Sequence, residues 1–248
     1  MKKNYFILLL LATIGCLAST CEQNKPTIDA SQYNQDAPND SNVKAAEPNQ
    51  LDSERRREIQ DDYRNTNRRI WQKPDLVIDF MGEITDKVVA DIGAGTGFFS
   101  FPIARKAAKV IAIDIDQSLV RNLDSAKVME LPEYAQDRLE ARLATNKNPN
   151  LGPGEADIVL MVNTYMYIRA EEGKEYLRKI IEALPENGVI LIIDFKKKKL
   201  NGPVQYRVPP EDRVPLYQVE IDLEEMGFRN IESNDKVLDY QYIVKAMK

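Results

Sequence analysis

The sequence contains no histidine, and its only two cysteines, Cys16 and Cys21, lie within the first 21 of 248 residues. The absence of histidine excludes His-ligated zinc, Ser-His-Asp triads and histidine general bases. Because residues 22–248 contain no cysteine, that region has neither disulfides nor thiol chemistry. The net charge of −5 argues against a general nucleic-acid-binding protein. We therefore expect neither a nucleic-acid partner nor a bound metal.

The first 21 residues have the pattern of a targeting segment. Lys2 and Lys3 form a positive region, and the apolar run 6–14 is short for a membrane span. The segment resembles a bacterial lipoprotein signal, which implies lipidation at Cys16, with Cys21 as the alternative. It predicts a membrane-anchored lipoprotein of a bacterial cell envelope. A plain signal peptide, or an uncleaved anchor that holds the chain at the cytoplasmic face, are the other interpretations.

The composition divides the chain into a leader (1–21), a tether (22–50) and a folded domain (51–248). Residues 22–50 are rich in Asn, Gln, Asp, Ser, Ala and Pro and have few large apolar side chains, which predicts disorder. From residue 71 onwards, apolar strand patterns alternate with helical ones, which is typical of a doubly wound α/β domain.

The stretch 88–100, VVADIGAGTGFFS, is the most informative part of the domain. Its β-branched apolar run predicts a buried strand that leads through Asp91 to a turn with Gly93, Gly95 and Gly97. Glycine permits a tight turn and leaves no Cβ in the way of a ligand. The helix that follows directs unpaired N–H groups at whatever fills the turn. This pattern predicts a nucleotide-type site.

Three features favour S-adenosylmethionine (SAM) over a dinucleotide at this site. Asp91 would repel a pyrophosphate but attract the ammonium of a methionine group. The spacing is G-x-G-x-G, without the longer G-x-G-x-x-G step. A second strand, 109–113, places Asp114 about twenty residues after the turn, where an acid can accept both ribose hydroxyls. An NAD-dependent oxidoreductase is therefore the weakest interpretation, and an ordinary βα turn is the structural alternative.

The segments DIGAGTG, IAIDID, ADIVLMVN and LPENGVILIIDF follow one another in an order that resembles the class I SAM-dependent methyltransferase family. The resemblance covers the chain from about residue 71 to its end. It implies a mostly parallel seven-stranded sheet with a terminal antiparallel pair, SAM as cofactor and methyl transfer to a small-molecule acceptor. The expected cofactor-binding residues are Asp91, Gly93, Ala94, Gly95, Thr96, Gly97, Asp114, Ile115, Thr145, Asn146 and Asn163.

The methyl acceptor is expected where the fourth and fifth strands, 156–163 and 189–193, end, because ligands bind outside the carboxyl ends of parallel strands. Tyr165 and Tyr167 follow the fourth strand, where they shape an apolar slot, donate a hydrogen bond or simply pack on the sheet edge. Asp194 follows the fifth strand. Relatives often carry a histidine pair after the fourth strand, which this chain lacks. Asp194, Tyr165 or solvent then remain to take up a proton.

The remaining pattern predicts further elements. They are a charged helix at 51–68, a helix from residue 74 to Gly82, helices at 117–129, 171–184 and 215–226, strands at 139–143, 228–233 and 239–246, and a Pro-rich loop at 200–212.

The leader and the cofactor site point to different compartments, because SAM is a cytoplasmic metabolite. Two functions follow: an anchored SAM-dependent methyltransferase, or an exported non-enzymatic Rossmann-like module that keeps a nucleoside-type pocket. A pocket without a ligand need not keep both Asp91 and Asp114, so the sequence favours the enzyme.

Overall fold

The structure is a computed structural model that describes residues 68–198 and 208–248. The predicted leader, the tether, the charged helix up to residue 67 and most of the Pro-rich loop lie outside the described residues. The elements, in chain order, are α1 (Arg68–Gln72), α2 (Pro74–Met81), β1 (Val88–Ile92), α3 (Ser100–Ala104), β2 (Lys109–Asp114), α4 (Gln117–Glu130), α5 (Glu133–Gln136), β3 (Leu139–Leu143), β4 (Ile158–Val162), α6 (Tyr165–Ala183), β5 (Val189–Phe195), α7 (Leu216–Glu225), β6 (Arg229–Asn234) and β7 (Gln241–Met247).

The seven strands form one sheet in the order β3-β2-β1-β4-β5-β7-β6. Strands β1 to β5 are parallel, whereas β7 is antiparallel to both β5 and β6. The prediction of a mostly parallel sheet with a terminal antiparallel pair is therefore confirmed. The chain winds outward in one direction from β1 to β3 and in the other from β4, so a switch point lies between β1 and β4. Ligands bind at the carboxyl ends of the strands at such a point.

Helices cover both faces of the sheet, and each face has its own hydrophobic cluster. In β5, Ile190 packs in one cluster with Leu177 of α6, while the adjacent Leu191 packs in the other with Val77 of α2. All four side chains are fully buried. A central parallel strand that is buried on both faces explains the continuous apolar runs in the sequence.

Two element boundaries differ from the prediction at the carboxyl edge of the sheet. Helix α6 begins at Tyr165 instead of residue 171 and contains a kink at Glu172, whose backbone is non-helical. Strand β5 continues through Asp194 to Phe195, because its antiparallel pairing with β7 extends that far. Both acceptor-side tyrosines, Tyr165 and Tyr167, therefore lie in the first turn of a helix. In the described ranges, no helix has the length and apolar character needed to cross a membrane.

Candidate cofactor and acceptor site

The glycine turn connects β1 to α3 at the switch point. Gly93, Gly95 and Gly97 all have positive φ angles, +77°, +58° and +85°. The N–H groups of Gly93 and Ala94 donate to the carbonyl of Ile113 at 2.8 and 2.9 Å. These bonds tie the turn to the end of β2, where Asp114 follows, so the two predicted cofactor segments meet at one edge of the sheet.

The surroundings of the three glycines show which part of the turn is open. A Cβ on Gly93 would lie 2.7 Å from Cγ2 of Thr164, and a Cβ on Gly97 would lie 2.5 Å from the ring of Phe101. A Cβ on Gly95 would meet only one backbone oxygen, at 4.0 Å. Gly93 and Gly97 are therefore required by packing, whereas Gly95 leaves space through which a ligand can approach the backbone. This open turn fits a nucleoside-type cofactor.

Asp114 connects the end of β2 to the turn. Its Oδ2 accepts the N–H of Gly95 at 2.9 Å, and its Oδ1 accepts the N–H of Asp116 at 3.0 Å. Burial raises the pKa of this carboxyl, which those backbone N–H groups partly offset. An ionised carboxylate has about four lone-pair sites, so the backbone N–H groups leave capacity for a hydroxyl group. Ile115, which follows, is half exposed and lies beside this site.

Asp91 lies beneath the turn, at the end of β1, and is 2% exposed. Its Oδ2 accepts a hydrogen bond from Oγ of Ser100 at 2.6 Å. Burial raises the pKa of Asp91 to about 6, against the opposing effects of Ser100 and of the Arg68 guanidinium. A cation placed near this carboxyl would favour its ionised form. The position of Asp91 is therefore compatible with the predicted binding of the ammonium of a methionine group.

Sequence reasoning overlooked Arg68 of α1, which lies against the segment that follows the glycine turn. Its Nε donates to Oε1 of Gln72 at 2.5 Å, and its guanidinium carbon lies 4.1 Å from the ring centroid of Phe98. Burial lowers the pKa of Arg68 to about 10, and Asp91 raises it. The run of charged residues before α1 predicted a solvated helix, so no local signal separated this arginine from its neighbours.

Thr145 and Asn146 lie in the exposed loop after β3. The N–H of Ala144 donates to the carbonyl of Asp114 at 2.9 Å, which joins the start of this loop to the end of β2. Thr145 and Asn148 then exchange two backbone hydrogen bonds at 3.0 and 3.3 Å. The loop is therefore at the same edge of the sheet as Asp114, and its adenine-side role stays a prediction.

Asn163 follows β4 directly and has a positive φ of 56°. Its N–H donates to the carbonyl of Ile193 at 2.8 Å, and its Oδ1 accepts a hydrogen bond from Nε2 of Gln241 at 2.6 Å. Gln241 is fully buried, and its Oε1 has no hydrogen-bond partner within the described ranges. Sequence reasoning also missed Gln241, because only the antiparallel placement of β7 beside β5 brings it to this edge.

The acceptor-side tyrosines have different environments. Tyr165 is 1% exposed, and its hydroxyl donates to Oδ2 of Asp222 at 2.9 Å, an oxygen that also accepts Nε of Arg169 at 2.6 Å. Burial and the Asp222 charge raise the pKa of Tyr165. The hydroxyl thus links α6 to α7 in the interior, in agreement with the packing alternative. Tyr167 is 49% exposed at the surface of α6.

Asp194 is a buried carboxyl at the end of β5. Its Oδ2 accepts the N–H of Met166 at 3.2 Å, at the start of α6. Its Oδ1 has no hydrogen-bond partner among the described residues. Burial raises the pKa of Asp194 to about 8, so the carboxyl is mostly protonated at neutral pH. Over the same residues, no group of three or more His, Cys, Asp or Glu side chains is arranged to hold a metal ion.

The comparisons with known proteins agree with this site. Residues 90–190 match the family described as "Methyltransferase domain". Phosphoethanolamine N-methyltransferase 3 of Arabidopsis thaliana is 24% identical over 145 residues, which are 56% of this chain and 28% of that protein. The bifunctional methyltransferase/kinase WbdD of Escherichia coli, an O-antigen chain terminator, is 26% identical over 132 residues, 51% and 18% of the two chains. The chain thus spans less than a third of these curated relatives.

Solved structures share the fold. A SAM-dependent methyltransferase from Aquifex aeolicus has a TM-score of 0.67 at 22% identity and covers 77% of this chain and 97% of its own. Phosphoethanolamine N-methyltransferase 2 of Haemonchus contortus, in complex with SAM, has a TM-score of 0.56 at 16% identity. The match covers 72% of this chain and 52% of that one. The solved structures therefore share the fold of this chain, and residues 90–190 match a methyltransferase domain.

Proposed function

We propose that the chain is a SAM-dependent methyltransferase that acts on a small-molecule acceptor. The observation that carries the proposal is the open glycine turn at Gly95, with Asp91 buried beneath it and Asp114 bonded to its backbone. Gly95 would let the backbone approach the methionine part of the cofactor, while Gly93 and Gly97 allow the close packing of the turn against Thr164 and Phe101. Asp91 would attract its ammonium, Asp114 would hold its ribose hydroxyls, and Asn163 would lie near its methionine end.

The bound cofactor would supply an activated methyl group on a sulfonium, which is already a good leaving group. The protein therefore has to align the acceptor with the methyl carbon and keep water away. Asn163 and Asp194 stand at the ends of the two adjacent strands β4 and β5, where the acceptor would bind. An acceptor with a high pKa would also need a base. Asp194 could take that role only through its ionised form, which burial makes the minor form at neutral pH, whereas the Tyr165 hydroxyl is held by Asp222.

The proposal specifies the methyl acceptor only as a small molecule. Two of the curated relatives are phosphoethanolamine N-methyltransferases, which makes phosphoethanolamine the first acceptor to test. Transfer of label from methyl-labelled SAM to phosphoethanolamine would support an amine acceptor. A chain that binds SAM but leaves phosphoethanolamine unlabelled would direct the search to hydroxyl and thiol acceptors.

Membrane attachment is a further part of the proposal, and the leader pattern in residues 1–21 supports it. We expect a lipid on Cys16, which metabolic labelling with radioactive palmitate would detect in cells that express the full chain. Label that persists in Cys16→Ser but disappears in Cys21→Ser would move the lipid to the second cysteine. Label in neither the natural chain nor the variants would favour an unlipidated leader.

Calorimetric titration of the full chain in mild detergent tests the cofactor directly. We expect micromolar binding of SAM and of its demethylated product S-adenosylhomocysteine, and no binding of NADH. A folded chain that binds neither sulfur compound would overturn the enzyme proposal in favour of the exported binding module. A chain that binds NADH instead would revive the dinucleotide interpretation.

A further inference from the structure

Two buried glutamines at the carboxyl edge of the sheet each have an unused polar atom. Gln72 of α1 and Gln241 of β7 are both fully buried. Neither Nε2 of Gln72 nor Oε1 of Gln241 has a hydrogen-bond partner among the described residues. Nearly all buried polar atoms in folded proteins have a partner, so each of these two atoms requires an explanation.

The two glutamines lie in segments that contact each other. Gln72 follows Trp71 in α1. The Trp71 ring centroid lies 6.1 Å from that of Phe195 and 6.0 Å from that of Tyr240. Phe195 is the pairing partner of Gln241 across β5 and β7, and Tyr240 precedes Gln241 in the chain. Although one unused atom is a donor and the other an acceptor, they do not bond to each other. A ligand group that bonds to both would satisfy them.

Hydrogen bonding connects Gln241 to the segment that packs on the glycine turn. Its Nε2 donates to Oδ1 of Asn163 at 2.6 Å. Thr164, the next residue, lies against Gly93, where an added Cβ would be 2.7 Å from Cγ2 of Thr164. The glutamines are therefore at the edge of the sheet where the methyl acceptor is expected, beside the proposed cofactor site.

The bonded atom of each amide determines which atom is left for a ligand. Gln72 presents its N–H because its Oε1 accepts the Nε–H of Arg68 at 2.5 Å, and that group can only donate. Gln241 presents its oxygen because its Nε2 is used by Asn163. The two amides thus offer one donor and one acceptor, both uncharged. A carboxylate or phosphate has no proton for the Gln241 oxygen, and an ammonium has no lone pair for the Gln72 N–H.

A hydroxyl group matches this pair of amides. Its O–H would donate to Oε1 of Gln241, and one of its two lone pairs would accept from Nε2 of Gln72. The second lone pair remains to attack a methyl carbon. A neutral amine has a single lone pair, which the Gln72 N–H would occupy. A thiol is a weak donor and a weak acceptor.

We propose that Gln72 and Gln241 bind the reacting hydroxyl group of the methyl acceptor, so that the product is a methyl ether. This inference rests on the proposed function and names the chemical class of its acceptor. The hydroxyl oxygen forms a bond to the methyl carbon as the C–S bond of the sulfonium breaks. The sulfur keeps the electron pair of that bond and becomes the neutral thioether of S-adenosylhomocysteine, and the hydroxyl proton is released to water.

The test uses three probes that share a benzene ring and differ in the group it carries: phenol, aniline and benzoate. At neutral pH phenol and aniline are uncharged, whereas benzoate is an anion. The full chain in mild detergent is incubated with methyl-labelled SAM and each probe at the same concentration. We expect label on phenol and at least about tenfold less on aniline and on benzoate, because a site built to bond a hydroxyl rejects analogues without one.

Gln72→Leu and Gln241→Leu test whether the two amides act on the acceptor. Each variant should raise the KM for phenol by about fivefold to tenfold, the effect of one lost hydrogen bond. The affinity for SAM, measured by calorimetric titration, should stay unchanged. Gln136→Leu in α5, which precedes the amino end of β3, is the matched control and should change neither quantity.

The outcomes separate this inference from the proposed function. A natural chain that binds SAM but labels aniline or benzoate as well as phenol, or labels none of the three, would overturn the inference even if the variants do not fold. Transfer to phosphoethanolamine in place of phenol would also overturn it and leave the proposed function intact. An unchanged KM for phenol in both variants would mean that the glutamines hold only water. A natural chain that does not bind SAM would overturn the proposed function itself.

Discussion

Thr164 fills the space beside Gly93, so that no side chain fits between the glycine turn and the start of α6. A Cβ at Gly93 would lie 2.7 Å from Cγ2 of Thr164 and closer still to its Oγ1. The Thr164 hydroxyl is itself held by the carbonyl of Val162, to which it donates at 3.0 Å. The glycine turn and the start of α6 are thus packed against each other.

Gly93→Ala should therefore destabilise the protein more than Gly95→Ala. Both residues have positive φ angles, so both variants carry backbone strain of about 1–2 kcal/mol. Only Gly93→Ala adds a clash, of the kind that costs about 1–3 kcal/mol in a packed interior. Urea unfolding of the two variants measures the difference. Thr164→Ala should recover part of the loss in the double variant, and equal unfolding free energies for both glycine variants would contradict the packing argument.

Asp114→Ala should weaken SAM binding by several-fold to about a hundredfold, because charged hydrogen bonds to the ribose would be lost. The bond from the Gly95 N–H would also disappear, which loosens the turn. Calorimetric titration with SAM measures the change, and Asp124→Ala on the exposed side of α4 is the matched control. An unchanged affinity of Asp114→Ala for SAM would contradict the prediction that Asp114 binds the ribose hydroxyls.

Tyr165→Phe should lower the free energy of unfolding by about 1–2 kcal/mol and leave SAM affinity unchanged. The variant removes the donor to Asp222, whose buried carboxyl keeps Arg169 and Gln218 as partners. Tyr217→Phe, at an exposed tyrosine of α7, should change neither quantity. A stable Tyr165→Phe that still binds SAM but has lost methyl transfer would instead assign the hydroxyl to the reaction.

Asp194 should make the protein less stable as the pH rises. Its pKa is raised from 3.8 to about 8 by burial, so the folded state holds a proton that the unfolded state releases. The contribution of Asp194 to the free energy of unfolding is complete below pH 3.8 and is lost as the pH rises through about 8. Over this interval the free energy of unfolding falls by no more than about 1.4 kcal/mol per pH unit. Asp91 contributes in the same direction up to its pKa of about 6.

Asp194→Asn tests this because asparagine cannot ionise and its carbonyl can still accept the Met166 N–H. The unfolding free energy of the variant relative to the natural chain should increase between pH 5 and pH 8. Urea unfolding at a series of pH values gives both curves. Parallel curves over that range would mean that Asp194 titrates as an ordinary surface carboxyl.

Local patterns in the sequence were sufficient to predict most of the helices and strands. The strand at 139–143 has the predicted bounds, and β1 leads into the glycine turn at the predicted place. These features depend on neighbouring residues, since side-chain periodicity and glycine conformations act within a few positions. The order of the strands came from the resemblance to a family, because alternation of strands and helices alone does not specify it.

The sequence by itself determined the doubly wound α/β domain, the open glycine turn and the two acids beside it, Asp91 and Asp114. Only the tertiary structure decided that β7 pairs with β5 as far as Phe195, that Gln241 reaches Asn163 and that Arg68 lies against Phe98. Each of these depends on a contact between distant segments: the pairing of β7 with β5, or the packing of α1 near Phe98. A sequence pattern shows which residues share a face of one element, but it does not show which elements meet.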